Sequence, residues 1–146
     1  MSAAVNEAIM TALTGNANLT ALLGVQEGGA PAIFYARKDE TPPVYAQVTF
    51  RECVLDAAPG FWSEFNNDQQ YYDCEVWTDQ RGSGVIDAIR AEIDRTLNNT
   101  QLALPDQSRN HMWWMRRISG GSPSNYDGTL RAWFGMYRYR ALTASV

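Results

Sequence analysis

Asp73 and Glu75 stand two residues apart in QQYYDCEVWT. That spacing puts both carboxylates on one face of an extended strand. Two neighbouring acids can do general acid–base work when one of them is held protonated. The plainer reading, a solvated strand face, is the one adopted. Gly82-Ser83-Gly84 has a superficial likeness to the turn that exposes a nucleophilic serine. It leads into a helix, however, where Ser83 is expected to act as an N-cap. His111 is the sole histidine, which excludes a multi-histidine metal site and any histidine pair at helical spacing. A partly buried or capping role is expected for it. Lys38 is the sole lysine, and no glycine-rich phosphate-binding pattern occurs. The residues therefore predict no catalytic group, no cofactor and no metal.

The elements around these residues are easier to read. Tyr72, Cys74, Val76 and Thr78 alternate with Tyr71, Asp73, Glu75 and Trp77, the period of a half-buried strand. After residue 84 the period changes. Ile86, Ile89, Ile93 and Leu97 make the apolar stripe of a helix, with Asp87, Glu92 and Asp94 on its polar side. Arg90 with Asp94 and Glu92 with Arg95 are expected as surface pairs. Upstream, Ser2 to Thr14 reads as a helix ended by Gly15, and Leu19 to Leu23 as a second, capped by Asn18. Ile33 to Tyr35 is a short strand, and Val44 to Val54 a longer one after Pro42-Pro43. The last third reads as a hairpin with arms His111–Ile118 and Thr129–Leu142. The order predicts one α+β domain over 1–146, an antiparallel sheet of mixed strand lengths with helices packed on one face. Segments 56–68 and 119–128 are expected as long loops, mobile at their tips. By parity Cys53 and Cys74 fall on opposite faces of the sheet, so they are expected as free thiols.

Length and composition agree with one ordinary globular core: 146 residues, 45% of them apolar. No apolar run approaches the roughly 18–20 residues that a bilayer helix needs, and no basic segment leads an apolar one at the N-terminus. A cytosolic, non-membrane product is expected. The net charge of −4 conceals a division. Residues 1–108 carry six basic and fifteen acidic side chains, whereas residues 109–146 carry six arginines and one acid, Asp127. An acidic body with a basic end suits a protein that meets copies of itself. It suits free nucleic-acid binding poorly.

Aromatic residues are in surplus. Trp113, Trp114, Trp133, Phe134, Tyr137 and Tyr139 crowd the hairpin, and Phe61, Trp62 and Phe65 crowd the 56–68 segment. Along the last strand, Leu130, Ala132, Phe134 and Met136 are expected to face the helices, leaving Trp133, Tyr137 and Tyr139 outside. Exposed aromatics of this kind mark contact surfaces. A stacking platform for single-stranded nucleic acid is the alternative, but it normally comes with lysines and a basic domain.

One ordered set of segments resembles a family. Leu19 to Gly24, the Ile33-Phe34-Tyr35 strand, Pro43-Val44-Tyr45, the strand–helix unit Tyr71 to Leu97 and the terminal Tyr137-Arg138-Tyr139-Arg140 resemble the tail-completion, or tail-terminator, proteins of long-tailed bacteriophages. The resemblance implies a structural virion protein, made in the host cytoplasm and placed in the tail or neck. It implies a ring, commonly of six subunits, that caps the tail tube, ends its polymerisation and offers a surface for head joining. The implied partners are other copies of the chain, the tail tube protein and a head–tail connector or stopper protein. Passage of DNA through the ring, without specific binding, is also implied. Ring closure is expected to bring Trp133, Tyr137, Arg138 and Arg140 against acids of the next subunit: Asp87, Glu92 and Asp94, or Asp56 and Glu64. Phe61, Trp62 and Phe65 are expected at a partner interface. A head-side connector or stopper, or a small α+β enzyme, are the other readings.

Overall fold

The computed structural model describes residues 2–36, 44–53, 67–80, 84–105, 110–128 and 131–145. Among these residues, three helices, α1 (Ser2–Thr14), α2 (Ala17–Leu22) and α3 (Gly84–Leu97), lie against one face of a five-stranded sheet. The strands are β1 (Ile33–Tyr35), β2 (Gln47–Cys53), β3 (Asn67–Thr78), β4 (Asn110–Asp127) and β5 (Ala132–Ser145), in the order β1-β2-β3-β5-β4. The α+β architecture is the one expected. One edge differs: β1 runs parallel to β2, while the other three pairings are antiparallel.

The apolar stripes read from the sequence build the core. Ile86, Ile89, Ile93 and Leu97 of α3 are buried, as are Val5, Ala8, Ile9 and Leu13 of α1. They meet Val48 and Phe50 of β2, Tyr72, Cys74 and Val76 of β3, and Met112 and Met115 of β4. Val48 lies opposite Val76 and Phe50 opposite Cys74, so the apolar parities of the two strands coincide. Cys53 lies on the other parity, beside Asp73 and Arg138, and the two cysteines are separate thiols on opposite faces.

Several boundaries depart from expectation, two of them for a tertiary reason. First, α2 begins at Ala17 and is capped by Asn16, not Asn18. Asn16 Oδ1 accepts a hydrogen bond from Leu19 N (3.0 Å), while its amide donates to Thr96 Oγ1 of α3 (2.8 Å). The second partner lies 80 residues away, and local spacing does not reveal it. Next, the hydrogen-bonded part of β2 starts at Gln47, three residues after Val44.

The largest departure is β4. Ser119 to Asp127, expected within a loop, is strand paired with β5. The ladder there is irregular, with register shifts between Arg117 and Ser119, Ser119 and Ser122, and Ser122 and Asn125. Bulges absorb the glycine, serine and proline content that argued for a loop. β5 is paired with β3 from Trp133 to Ala144, and its other edge needs partners for its backbone groups. β4 supplies them almost to the turn. The 56–68 segment lies, up to residue 66, outside the described residues, and Asn67 and Asp68 already belong to β3.

Asn98 and Asn99 end α3, Asn99 in the left-handed conformation at φ +55°. The chain then covers part of the β4 edge. Met115 N donates to Thr100 O (2.8 Å), Thr100 N donates to Met115 O (3.3 Å), and Arg117 N donates to Asn98 Oδ1 (2.9 Å). A covered edge cannot template another strand at that point.

Candidate functional site

The candidate acids and thiols among the described residues are engaged in structure. Arg138 holds both oxygens of Asp73, Nε at 2.6 Å from Oδ1 and Nη2 at 3.0 Å from Oδ2. Glu75 Oε2 lies 3.3 Å from Arg51 Nη2 and accepts from Trp77 Nε1 at 3.3 Å. The two carboxylates do share a strand face, but each answers to its own arginine. Burial pushes the Cys74 thiol well up, with the charges of Asp73 and Glu75 adding to it. Cys53 is raised too, first by partial burial and then by Asp73. Neither environment favours a thiolate. Ser83 lies outside the described residues. His111 is placed by its backbone opposite Ala144, and its side chain lies outside the described part. Among the described residues, no three His, Cys, Asp or Glu side chains gather as a metal site would need. A depression of about 450 Å³ between α1 and residues 102–105 contains one acid, Glu7, among mainly apolar or small neighbours such as Ala8, Thr11, Leu102 and Pro105. It offers no convergent acid, base and nucleophile.

The aromatic and charged surface of the sheet is where the geometry is specific. β3 and β5 pair so that Tyr72 faces Tyr139, Cys74 faces Tyr137, Val76 faces Gly135 and Thr78 faces Trp133. Directly opposed residues point to the same side of a sheet. Trp133, Tyr137 and Tyr139 therefore lie on the helix side, which reverses the expected facing of β5. Tyr139 is fully buried; Trp133 and Tyr137 are partly buried against the core. Phe134, Met136, Arg138 and Arg140 form the outer face instead, and Phe134 stacks on Trp77 at 4.7 Å between centroids.

The reason for the reversal is a polar network supplied by distant elements. Arg90 of α3, only 7% exposed, lies with its guanidinium carbon 4.2 Å from the Tyr137 ring centroid, and Arg117 lies at 4.5 Å from the same ring. Arg117 pairs with Asp94 at 3.2 Å, and the Tyr139 hydroxyl donates to Asp94 Oδ1 at 3.1 Å. These partners make it tolerable to turn two tyrosines inward where Leu130, Ala132, Phe134 and Met136 were expected. Gly135 completes the fit: a Cβ there would lie 2.8 Å from Ile86 Cγ2 and 3.1 Å from Arg90 Nη1. The expected Arg90–Asp94 surface pair is thus corrected, because each has another partner. A signal for it existed. Position 90 falls on the same helical face as 86, 89, 93 and 97, so an arginine there had to be buried. The expected Glu92–Arg95 pair is present, at 2.5 Å.

Of the acids expected at an interface, Asp94 is engaged within the chain and Glu92 pairs with Arg95. Asp87 stands out from α3 with its side chain 62% exposed, and Arg90 Nη1 lies 4.0 Å from its Oδ1. Phe61, Trp62, Phe65, Asp56 and Glu64 lie outside the described residues.

Comparison with known proteins adds the fold. No family model matches the sequence, and no curated protein does. The chain is similar to one in the solved structure "Virion of native gene transfer agent (GTA) particle", with a TM-score of 0.73 and 20% identity. The similarity covers 99% of this chain and 97% of that one. At that identity what is shared is the fold. It extends from end to end of both chains.

On the outer face, the β4–β5 pair carries a second charged cluster. Arg116 and Arg140 lie directly opposite one another, with guanidinium carbons 4.8 Å and 5.1 Å from the Trp114 ring centroid. Arg116 Nε donates to Asn99 Oδ1 at 3.2 Å. Arg140 Nε is buried and has no acceptor among the described residues. Sequence reading placed both arginines among the hairpin aromatics but not against one ring. The bulge between Met112 and Trp114 sets that register.

Proposed function

We propose that this chain is a structural virion protein that caps the tail tube of a long-tailed phage or phage-like particle, as an oligomeric ring. The ring ends tube polymerisation and presents the surface for head joining. The observation that carries the reading is the full-length fold similarity to a chain of a gene transfer agent virion. The segments that resemble tail-terminator proteins support it, among them the β3–α3 unit. So does the engagement of the candidate acids and thiols in packing and ion pairs, which leaves surfaces rather than a pocket as the distinctive feature. Its partners in this reading are further copies of itself, the tail tube protein and a head-side connector.

Electron microscopy of the purified chain mixed with tail tubes tests the proposal, together with native mass measurement. The expected result is a ring of tube diameter, commonly six subunits, seated at one tube end and halting further growth. Rings that bind the head vertex but never tubes would support a connector or stopper in place of a terminator. A monomer that binds neither would overturn the structural reading.

A further inference from the structure

Five arginines of the described residues have carboxylate partners within 4.0 Å: Arg51, Arg90, Arg95, Arg117 and Arg138. Arg116 and Arg140 have none among the described residues. They also face each other across the β4–β5 ladder, where like charges are unfavourable. Trp114 lies within about 5 Å of both guanidinium carbons and holds the two cations near one another. A pair of guanidiniums with no carboxylate partner among the described residues, set beside an indole, is suited to a carboxylate. It offers several N–H donors in fixed planes and an aromatic that excludes water.

We propose that the Arg116–Trp114–Arg140 cluster is a carboxylate-binding site for the α3 side of a second copy of this chain, with Asp87 as the acid that enters it. The inference rests on the assembly reading above. Charge division argues for a second copy, since residues 109–146 hold six arginines against one acid and residues 1–108 hold fifteen acids against six basic side chains. The exposed surface of α3 is also open to approach. Asp87 projects from it beside Ala88 and Ala91, both exposed and short. Finally, the described helices lie on one side of the sheet and the arginine cluster on the other. A contact joining opposite sides of identical subunits is head-to-tail, the kind that closes into rings.

Sedimentation of the full chain over a range of concentrations, at low and at high salt, tests this. The variants are Arg140→Glu, the more exposed Arg116→Glu, Asp87→Arg and the swap Arg140→Glu with Asp87→Arg, each checked by circular dichroism and a thermal melt. Wild type should self-associate, more weakly at high salt. Each reversal should raise the dissociation constant about tenfold or more. The swap should return to within about threefold of wild type. A wild type that stays monomeric, assembly unchanged by either arginine reversal, or a swap that fails to restore it overturns the proposal. So does a short fluorescein-labelled DNA duplex that binds wild type and loses binding in Arg140→Glu while assembly is intact, because the cluster would then be a phosphate site. If assembly survives Arg140→Glu and the rings still cap tubes, this contact fails and the capping reading stands. If the swap restores assembly but no ring caps a tube, the reverse holds.

Discussion

Arg138 and Asp73 lie directly opposite one another in the β3–β5 ladder and are joined by two hydrogen bonds, 2.6 Å and 3.0 Å long. The Asp73 side chain is 11% exposed and that of Arg138 29%, so the pair is largely withdrawn from water on the outer face of the sheet. Removing one partner leaves the other charge without its bonds. Arg138→Ala and Asp73→Asn should each cost about 1.5–3 kcal/mol, the range for hydrogen bonds to charged groups. Chemical denaturation would show it as a fall in midpoint at constant slope. A change below about 0.5 kcal/mol would mean that solvent replaces the pair at no cost. Charge reversal at Arg138 is therefore first a test of stability, and assembly is better probed at Arg116 and Arg140.

Gly135 is set by packing, since it lies where α3 comes closest to β5. Gly135→Ala should cost about 1–3 kcal/mol, because the new methyl group meets Ile86 Cγ2 at 2.8 Å. Ile86→Leu removes the β-branched methyl at that contact and keeps the side-chain volume, so the double variant should recover part of that loss. Equal melting temperatures for wild type and Gly135→Ala would show that α3 moves away freely.

How much of this was legible depended on where each residue finds its partners. The α3 stripe and the β3 alternation were readable because the residues that define them are neighbours in sequence. Cys53 and Cys74 fell on opposite faces for the same reason. The facing of β5 was not readable. Tyr137 is covered by Arg90 and Arg117, and Tyr139 is bonded by Asp94, side chains 20 to 47 positions away that no periodicity within β5 reports. The β4 stretch from Ser119 looked like a loop because Gly120, Gly121 and Pro123 normally break strands. Continuous pairing of β5 with β3 keeps it in the sheet. Arg116 and Arg140 were visible as basic residues, but a bulge, not a period, brings them to one tryptophan.

Arg90 offers a way to separate its packing from its charge. Its stem lies among buried residues, Nη2 donates to Met136 O at 3.3 Å and the guanidinium covers Tyr137. Arg90→Met keeps much of the apolar volume and loses the hydrogen bond and the cation–π contact. It should cost about 1–3 kcal/mol. Arg90→Ala should cost more, since it also opens a cavity beneath Gly135. If Arg90→Met is as stable as wild type, the buried cation is dispensable and only its volume matters.

Alkaline pH should destabilise the fold through buried acids that cannot ionise in place. Burial raises the Cys74 thiol above its ordinary value of 9.0, with Asp73 and Glu75 adding, and raises the Tyr139 hydroxyl above its ordinary 10.0, with Cys74 and Asp94 adding. In the unfolded chain both groups ionise near those ordinary values; in the folded chain both keep their protons. The native state then binds more protons than the unfolded one, so stability is fully present below pH 9.0 and falls as pH rises beyond it. The Cys74 contribution to the slope should reach about 1.4 kcal/mol per pH unit once that thiol is ionised in the unfolded chain, with Cys53, also raised, adding to it and the phenol following. Cys74→Ala should lower stability at neutral pH, because it removes a buried core side chain. It should also flatten the first part of the alkaline decline and leave the later part in place. Urea titrations at closely spaced pH values would measure both effects. An unchanged slope in Cys74→Ala between pH 9.0 and 10.0 would show that the decline begins at some other group.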